Sequence, residues 1–313
     1  MHCFVFFAHN NHKILYMEGT MEPIFRTDLA LERWNAAKIS HGRGRGVDGV
    51  NCRRITVRGI GVHTMHVESP EAAEILCKPI GKYYTISLDK TIKRVDDSFE
   101  DTAQCIGEII HQLLPNGKKF LVVCLGNPNI TPDAIGPKCA DYVMVTRHLK
   151  EWMPKDFAPF SSVSVISPGV LGTTGIESAY IVKGVVDTVK PDGVIAVDAL
   201  AAASADRLCR TVQICDTGIE PGSGVGNRRY VLNSDTLGVP VISVGVPTVV
   251  DADTFIYSIA EDSAPKHSRG EGMFITPREI DSFVAHSAKL LAYGINFALH
   301  NDLSLEDIDL FIG

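Results

Sequence analysis

The chain has 313 residues, 45% of them hydrophobic and 21% charged. That balance supports one or two packed domains and excludes a disordered chain, a collagen or a small disulfide-stapled scaffold. The net charge is −7, yet residues 1–116 hold 14 basic and 14 acidic residues while residues 117–313 hold 16 and 23; with its acidic surplus in the second part, the chain lacks the basic surface that a general nucleic-acid coat needs.

The apolar run at residues 3–8 is too short for a signal-peptide core or a membrane span, and Met17 and Met21 are alternative starts. No stretch approaches 18 uninterrupted apolar residues, so the chain reads as soluble and cytoplasmic, with no membrane partner. The eight cysteines form no C-x-x-C pair and no zinc-finger spacing, and several sit inside apolar runs, where free Cys acts as a small hydrophobe.

Taken in chain order, the Gly/Arg stretch at 41–46 reads as an exposed loop. Residues 53–60 and 83–88 alternate like strands, and Ser69-Pro70-Glu71 opens a short helix with Ser at the cap and Pro in the first turn. Residues 98–114 place Ile106, Ile109, Ile110 and Leu113 on one helical face. From residue 119 the pattern becomes regular: strands at 120–126, 162–167, 193–199, 211–216 and 240–246, with helices at about 133–152 and 175–189, the latter behind a capping box Thr174-x-x-Glu177. A short helix is expected at 203–209, a Gly-rich loop at 217–226, a long amphipathic helix at 277–300 and a short acidic one at 303–311. Alternating strands and helices predict an α/β fold, a three-layer α/β/α sandwich around a mainly parallel sheet.

In such sheets ligands bind at the carboxyl ends of the strands. The rim so defined carries Asn127, Thr131 and Asp133 after the first core strand, and Thr174 and Glu177 after the second. Asp198 ends the third, Asp216 the fourth, and Asp251 follows the fifth. Asp133 fits a helix first turn on dipole grounds alone. Asp198 ends an apolar strand, where a carboxylate is costly unless paired or hydrogen-bonded. If the two meet across adjacent strands they repel, one keeps its proton, and an acid and a base stand side by side. Asp216-Thr217-Gly218 matches the tripeptide of pepsin-like proteases, but those folds are all-β and this context is βα. Gly222-Ser223-Gly224-Val225-Gly226 lacks dinucleotide-loop spacing and reads as a flap or a backbone nest. No Ser elbow and no H-E-x-x-H motif is present, although the rim acids could bind a divalent ion.

These residues resemble the germination protease family of endospore-forming bacteria. The likeness runs from about residue 26 to residue 253. Its blocks include Thr131-Pro132-Asp133-Ala134-Ile135-Gly136-Pro137, Ser167-Pro168-Gly169-Val170, Ala196-Val197-Asp198-Ala199-Leu200-Ala201, Asp216-Thr217-Gly218-Ile219 and Gly245-Val246-Pro247-Thr248-Val249-Val250-Asp251. The resemblance implies an atypical aspartic-type endopeptidase that degrades small acid-soluble spore proteins in the spore core, on a fold related to the hydrogenase-maturation proteases. It implies Asp133 and Asp198 as the catalytic pair, and a self-processing zymogen. Arg26-Thr27-Asp28-Leu29-Ala30-Leu31-Glu32 resembles the processing site, with cleavage between Asp28 and Leu29. Residues 1–28 would then be a leader ahead of a single domain at 29–313, divided into an N-terminal subregion, 29–116, and a core, 117–313. Asn127, Thr131, Thr174, Glu177, Asp216, Gly222, Gly224 and Asp251 are expected to bind substrate or support the site. No cofactor is expected, no nucleic acid is bound directly, and the family likeness implies a homo-oligomer, a tetramer. A metal-dependent protease on the same fold and a nucleotide- or protein-binding module using residues 222–226 are the alternative readings.

Overall fold

Residues 120–125 are buried in alternation. Phe120, Val122 and Cys124 pack with residues of the helices Ser98–Leu113 and Ile280–Leu299, while Leu121, Val123 and Leu125 pack with Val182 and Val186 of the helix Ser178–Val189. A strand covered on both faces is what a continuous apolar run predicts. The molecule is described by a computed structural model over residues 26–40, 46–88, 98–223, 229–260, 272–300 and 302–312. Residues 1–25, most of the Gly/Arg stretch and Gly224 lie outside the described residues.

The strands are β1 (Val50–Val57), β2 (Ile60–Val67), β3 (Gly81–Ser87), β4 (Lys119–Cys124), β5 (Ser162–Ile166), β6 (Gly193–Ala202), β7 (Thr211–Cys215), β8 (Val241–Asp251) and β9 (Phe274–Ile275). They form one sheet in the order β1-β2-β3-β7-β8-β6-β4-β5, with β9 paired to β8. The α/β/α layering holds, with a mixed sheet at its centre. Strands β8, β6, β4 and β5 are parallel, and the strands from residues 50–87 extend the same sheet as an antiparallel ribbon joined through β7.

Several boundaries differ from expectation. The strand expected at 53–60 is two strands of a hairpin, because Arg58 and Gly59 both take positive φ, 49° and 73°, in a two-residue turn. The helix expected over 133–152 is a 3-10 turn, Thr131–Asp133, followed by the short helices Ile135–Ala140 and Arg147–Trp152. Its middle is taken over by a tertiary contact. Buried Asn296 accepts from the Met144 N–H at 2.9 Å and donates to the Tyr142 carbonyl at 2.9 Å, so those backbone groups need no helix. The capping box at Thr174 and Glu177 does not form. Thr174 ends a separate turn, Leu171–Thr174, and Glu177 caps the helix Ser178–Val189 through its backbone alone. β6 and β8 run longer than expected, and the short helix at 203–209 shrinks to the 3-10 turn Ala205–Arg207.

Among the described residues, no helix is long and apolar enough to cross a membrane.

Candidate active site

β6 carries Asp198 to the carboxyl end of the parallel strands, where its side chain is buried, with 5% of its surface exposed. Its Oδ1 accepts from the Ala199 N–H at 2.9 Å. Directly after it the β6–β8 register slips between Leu200 and Ala201, a bulge of the kind that re-aims side chains beside active sites. Opposite Asp198 on β8 stands Gly245. A Cβ there would come within 2.7 Å of the Leu200 side chain and 2.9 Å of the Asp198 carbonyl, so glycine keeps the space beside Asp198 open.

The loop after β4 brings Asp133 to the same edge. Leu125 N–H donates to the Val197 carbonyl at 2.8 Å, laying the loop beside β6. Gly126 turns the chain at φ 116°, and a Cβ there would sit 2.0 Å from the Asp133 carbonyl oxygen; only glycine allows this approach. The Asn127 N–H then donates to both the carbonyl and the Oδ2 of Asp133, at 3.1 and 2.8 Å.

The two carboxyls line one cleft of about 400 Å³, together with Asp28, Glu177, Gly222 and Arg229. Both titrate above the ordinary carboxylate range. Burial pushes Asp133 up to about 6, against a smaller opposing effect of the Asn127 hydrogen bond. Burial pushes Asp198 well above its usual value, and the neighbouring charges of Asp133 and Asp28 add to the effect. Because the Asp133 charge raises Asp198, Asp198 is the member of the pair that keeps its proton while Asp133 ionises.

The other expected site residues divide. Asp28 lies between the two acids' cleft and an adjoining cavity of about 390 Å³ that Asp198 also lines. Leu29 is fully buried among Leu200, Ala202, Leu208 and Val250. Glu177 faces Arg229 across 3.7 Å. Gly222 lines both spaces at φ 73°. Asp251 is buried at the end of β8, where it accepts from the Thr254 N–H and hydroxyl at 3.1 Å each and pairs with Arg26 at 3.3 Å. Asn127, whose N–H holds Asp133, also accepts at Oδ1 from the Asn129 N–H, while the Thr131 carbonyl closes the 3-10 turn and Thr174 Oγ1 accepts from the Ile176 N–H. Asp216 accepts from the Lys82 N–H at 2.7 Å, tying the start of β3 to the end of β7. Lys78, Gln213 and Ser223, which touch Asp28, were not anticipated. Gln213 carried a usable signal, a polar residue inside the buried run Thr211–Cys215, but Lys78 carried none.

Among the described residues, no group of three or more His, Cys, Asp or Glu could hold a metal ion.

What fold and site define is an α/β protein with two unlike carboxyls in a cleft at the carboxyl edge of its parallel strands. The germination protease family model matches residues 28–269. Curated germination proteases align along nearly the whole chain. That of Caldanaerobacter subterraneus subsp. tengcongensis is 41% identical, covering 91% of this chain and 97% of its own. That of Clostridium perfringens strain 13 is 39% identical over 92% and 98%, and that of Bacillus subtilis 35% over 91% and 95%. Among solved structures, the [NiFe] hydrogenase maturation protease HycI of Thermococcus kodakarensis aligns with a TM-score of 0.35 and 18% identity, over 60% of this chain and 98% of that one. The chain is a peptidase. It belongs to the germination protease family.

Proposed function

We propose that the chain is an endopeptidase that cuts small acid-soluble spore proteins in the germinating spore, with Asp133 and Asp198 acting on water and no covalent intermediate. The observation that carries the reading is the split between neighbouring carboxyls, Asp133 raised only to about 6 and Asp198 raised well beyond its usual range. A base and an acid then coexist in one cleft near neutral pH. Ionised Asp133 takes a proton from the attacking water, and protonated Asp198 gives one to the leaving nitrogen. The family supports the substrate class and, with it, a tetrameric enzyme of the spore core.

Self-processing between Asp28 and Leu29 belongs to the same reading, and residues 1–28 are its propeptide. It is supported by the position of Asp28, whose carboxylate adds to the charge felt by Asp198. The test is incubation of the purified full-length chain with a small acid-soluble spore protein, followed by mass spectrometry of both. Wild type should cut the substrate and shorten itself by 28 residues, while Asp133→Asn and Asp198→Asn should do neither. Full activity in either variant sinks the assignment.

A further inference from the structure

Residues 26–29 lie in the site as a bound peptide would. The Asp28 N–H donates to the Ala201 carbonyl at 2.9 Å, and the Ala201 N–H donates to Asp28 Oδ2 at 2.8 Å. Ser223 Oγ donates to Asp28 Oδ1 at 2.7 Å. Leu29 fills its apolar pocket on one side, and Arg26 pairs with Asp251 on the other. Between these anchors the Asp28 carbonyl oxygen receives two side-chain donors at once, Lys78 Nζ at 2.8 Å and Gln213 Nε2 at 2.9 Å.

Both donors are costly to place there. Lys78 is half-buried, and around its ammonium loss of hydration lowers the pKa against the smaller raising effects of the Asp28 carboxylate and Cys215. Gln213 is 7% exposed, and its Oε1 accepts from the Ala30 N–H at 2.6 Å, which fixes Nε2 toward Asp28. A buried cation aimed at a neutral carbonyl gains little in the ground state. It gains far more if that oxygen becomes negative. The β7–β8–β6 register supports this geometry: Gln213, Gly245 and Asp198 stand side by side across three strands. The missing side chain at Gly245 leaves the Asp198 carboxyl and the Gln213 amide facing one cavity, which Asp28 and Lys78 also line.

We propose that Lys78 and Gln213 are catalytic residues that hold the carbonyl oxygen of the bond being cut and stabilise the oxyanion formed there. This rests on the two-aspartate reading and adds the part that a carboxyl pair cannot supply. Water oxygen bonds to the carbonyl carbon while its proton passes to Asp133. The carbonyl π pair moves onto oxygen, against the Lys78 ammonium and the Gln213 amide. When the carbonyl re-forms, the C–N bond breaks and the nitrogen takes the Asp198 proton. The Asp28–Leu29 bond meets these donors in the full-length chain, and a substrate protein meets them once residues 26–28 have left.

The test uses the full-length chain with Lys78→Met, Lys78→Arg and Gln213→Ala, each checked by circular dichroism and thermal melting. Self-cleavage is followed by intact mass, and kcat and KM are measured on a small acid-soluble spore protein. Lys78→Met and Gln213→Ala should each lower kcat by about 10²- to 10³-fold with KM nearly unchanged, and Lys78→Arg should recover part of the loss. A lower melting temperature with wild-type kcat, or a raised KM alone, identifies a structural anchor and overturns the proposal. If one variant fails to fold, the other and Lys78→Arg decide. Wild-type chain without activity, or an active Asp198→Asn, sinks the two-aspartate reading instead.

Discussion

The ionised carboxylate of Asp133 acts on Asp198, adding to the burial that holds the Asp198 carboxyl in its protonated form. The influence runs from an acid on a loop to an acid on a strand, because the loop after β4 is laid against β6 by the Leu125 to Val197 hydrogen bond. The pair is asymmetric. Asp133 is partly open to the cleft and receives a backbone N–H, whereas Asp198 lies deeper and feels two neighbouring negative charges.

The asymmetry fixes a pH profile. Catalysis needs Asp133 ionised and Asp198 protonated, so kcat/KM should be bell-shaped, its acid limb falling at about 6 where Asp133 titrates. Asp133→Asn should remove that limb together with nearly all activity, by about 10³-fold or more. A flat profile between about pH 5 and pH 8, the span in which such groups titrate, would contradict the base role.

The same shifts predict a stability effect. Both folded carboxyls have pKa values above their unfolded ones, so the folded state binds more protons. The stabilisation this gives is fully present below the unfolded pKa and is lost as pH rises, for Asp133 across the window from 3.8 to about 6. Asp198→Asn removes the cost of burying an ionisable group. Its melting temperature should therefore exceed that of wild type by about 2 to 6 °C at neutral pH, with little difference in acid. Equal melting temperatures at neutral pH would mean that burial of Asp198 carries no cost.

Gly126 is where loop shape and chemistry meet. A Cβ at φ 116° would collide with the Asp133 carbonyl at 2.0 Å, so Gly126→Ala must displace Asp133 from its place in the cleft. A shift of about 1 Å in a reacting group can cost on the order of 10²-fold, and the strained backbone about 1 to 3 kcal/mol. Activity should fall by about that factor in a chain that still folds, as measured by kcat alongside urea unfolding.

The sequence made some of this visible and hid the rest for identifiable reasons. β4, β6 and β8 announce themselves as apolar runs because both faces are covered. Asp198 stands out because a carboxyl ending such a run needs a reason. The break in the helix expected at 133–152 is not visible locally, since the group that replaces its hydrogen bonds, Asn296, lies 152 residues from Met144. Lys78 follows a short surface helix, and nothing around it signals that its ammonium turns inward to meet Asp28. Capping-box spacing at Thr174 and Glu177 misleads because Gly175, at φ 71°, ends one helical turn before the next begins.

Asn296 offers the sharpest test of that long-range substitution. Its amide serves the Met144 N–H and the Tyr142 carbonyl, and the side chain has no exposed surface. Asn296→Ala leaves the buried Met144 N–H and the part-buried Tyr142 carbonyl without that partner. Each unsatisfied group costs about 1 to 3 kcal/mol, so the variant should lose about 2 to 4 kcal/mol in urea unfolding. Asn296→Asp keeps the acceptor for Met144 but sets a carboxylate against the Tyr142 carbonyl, and should be at least as destabilising near neutral pH. The loss should partly reverse in acid, where the protonated carboxyl can again donate. If Asn296→Ala unfolds at the wild-type urea concentration, residues 141–146 are held by their own packing, and the account of why the helix breaks there is wrong.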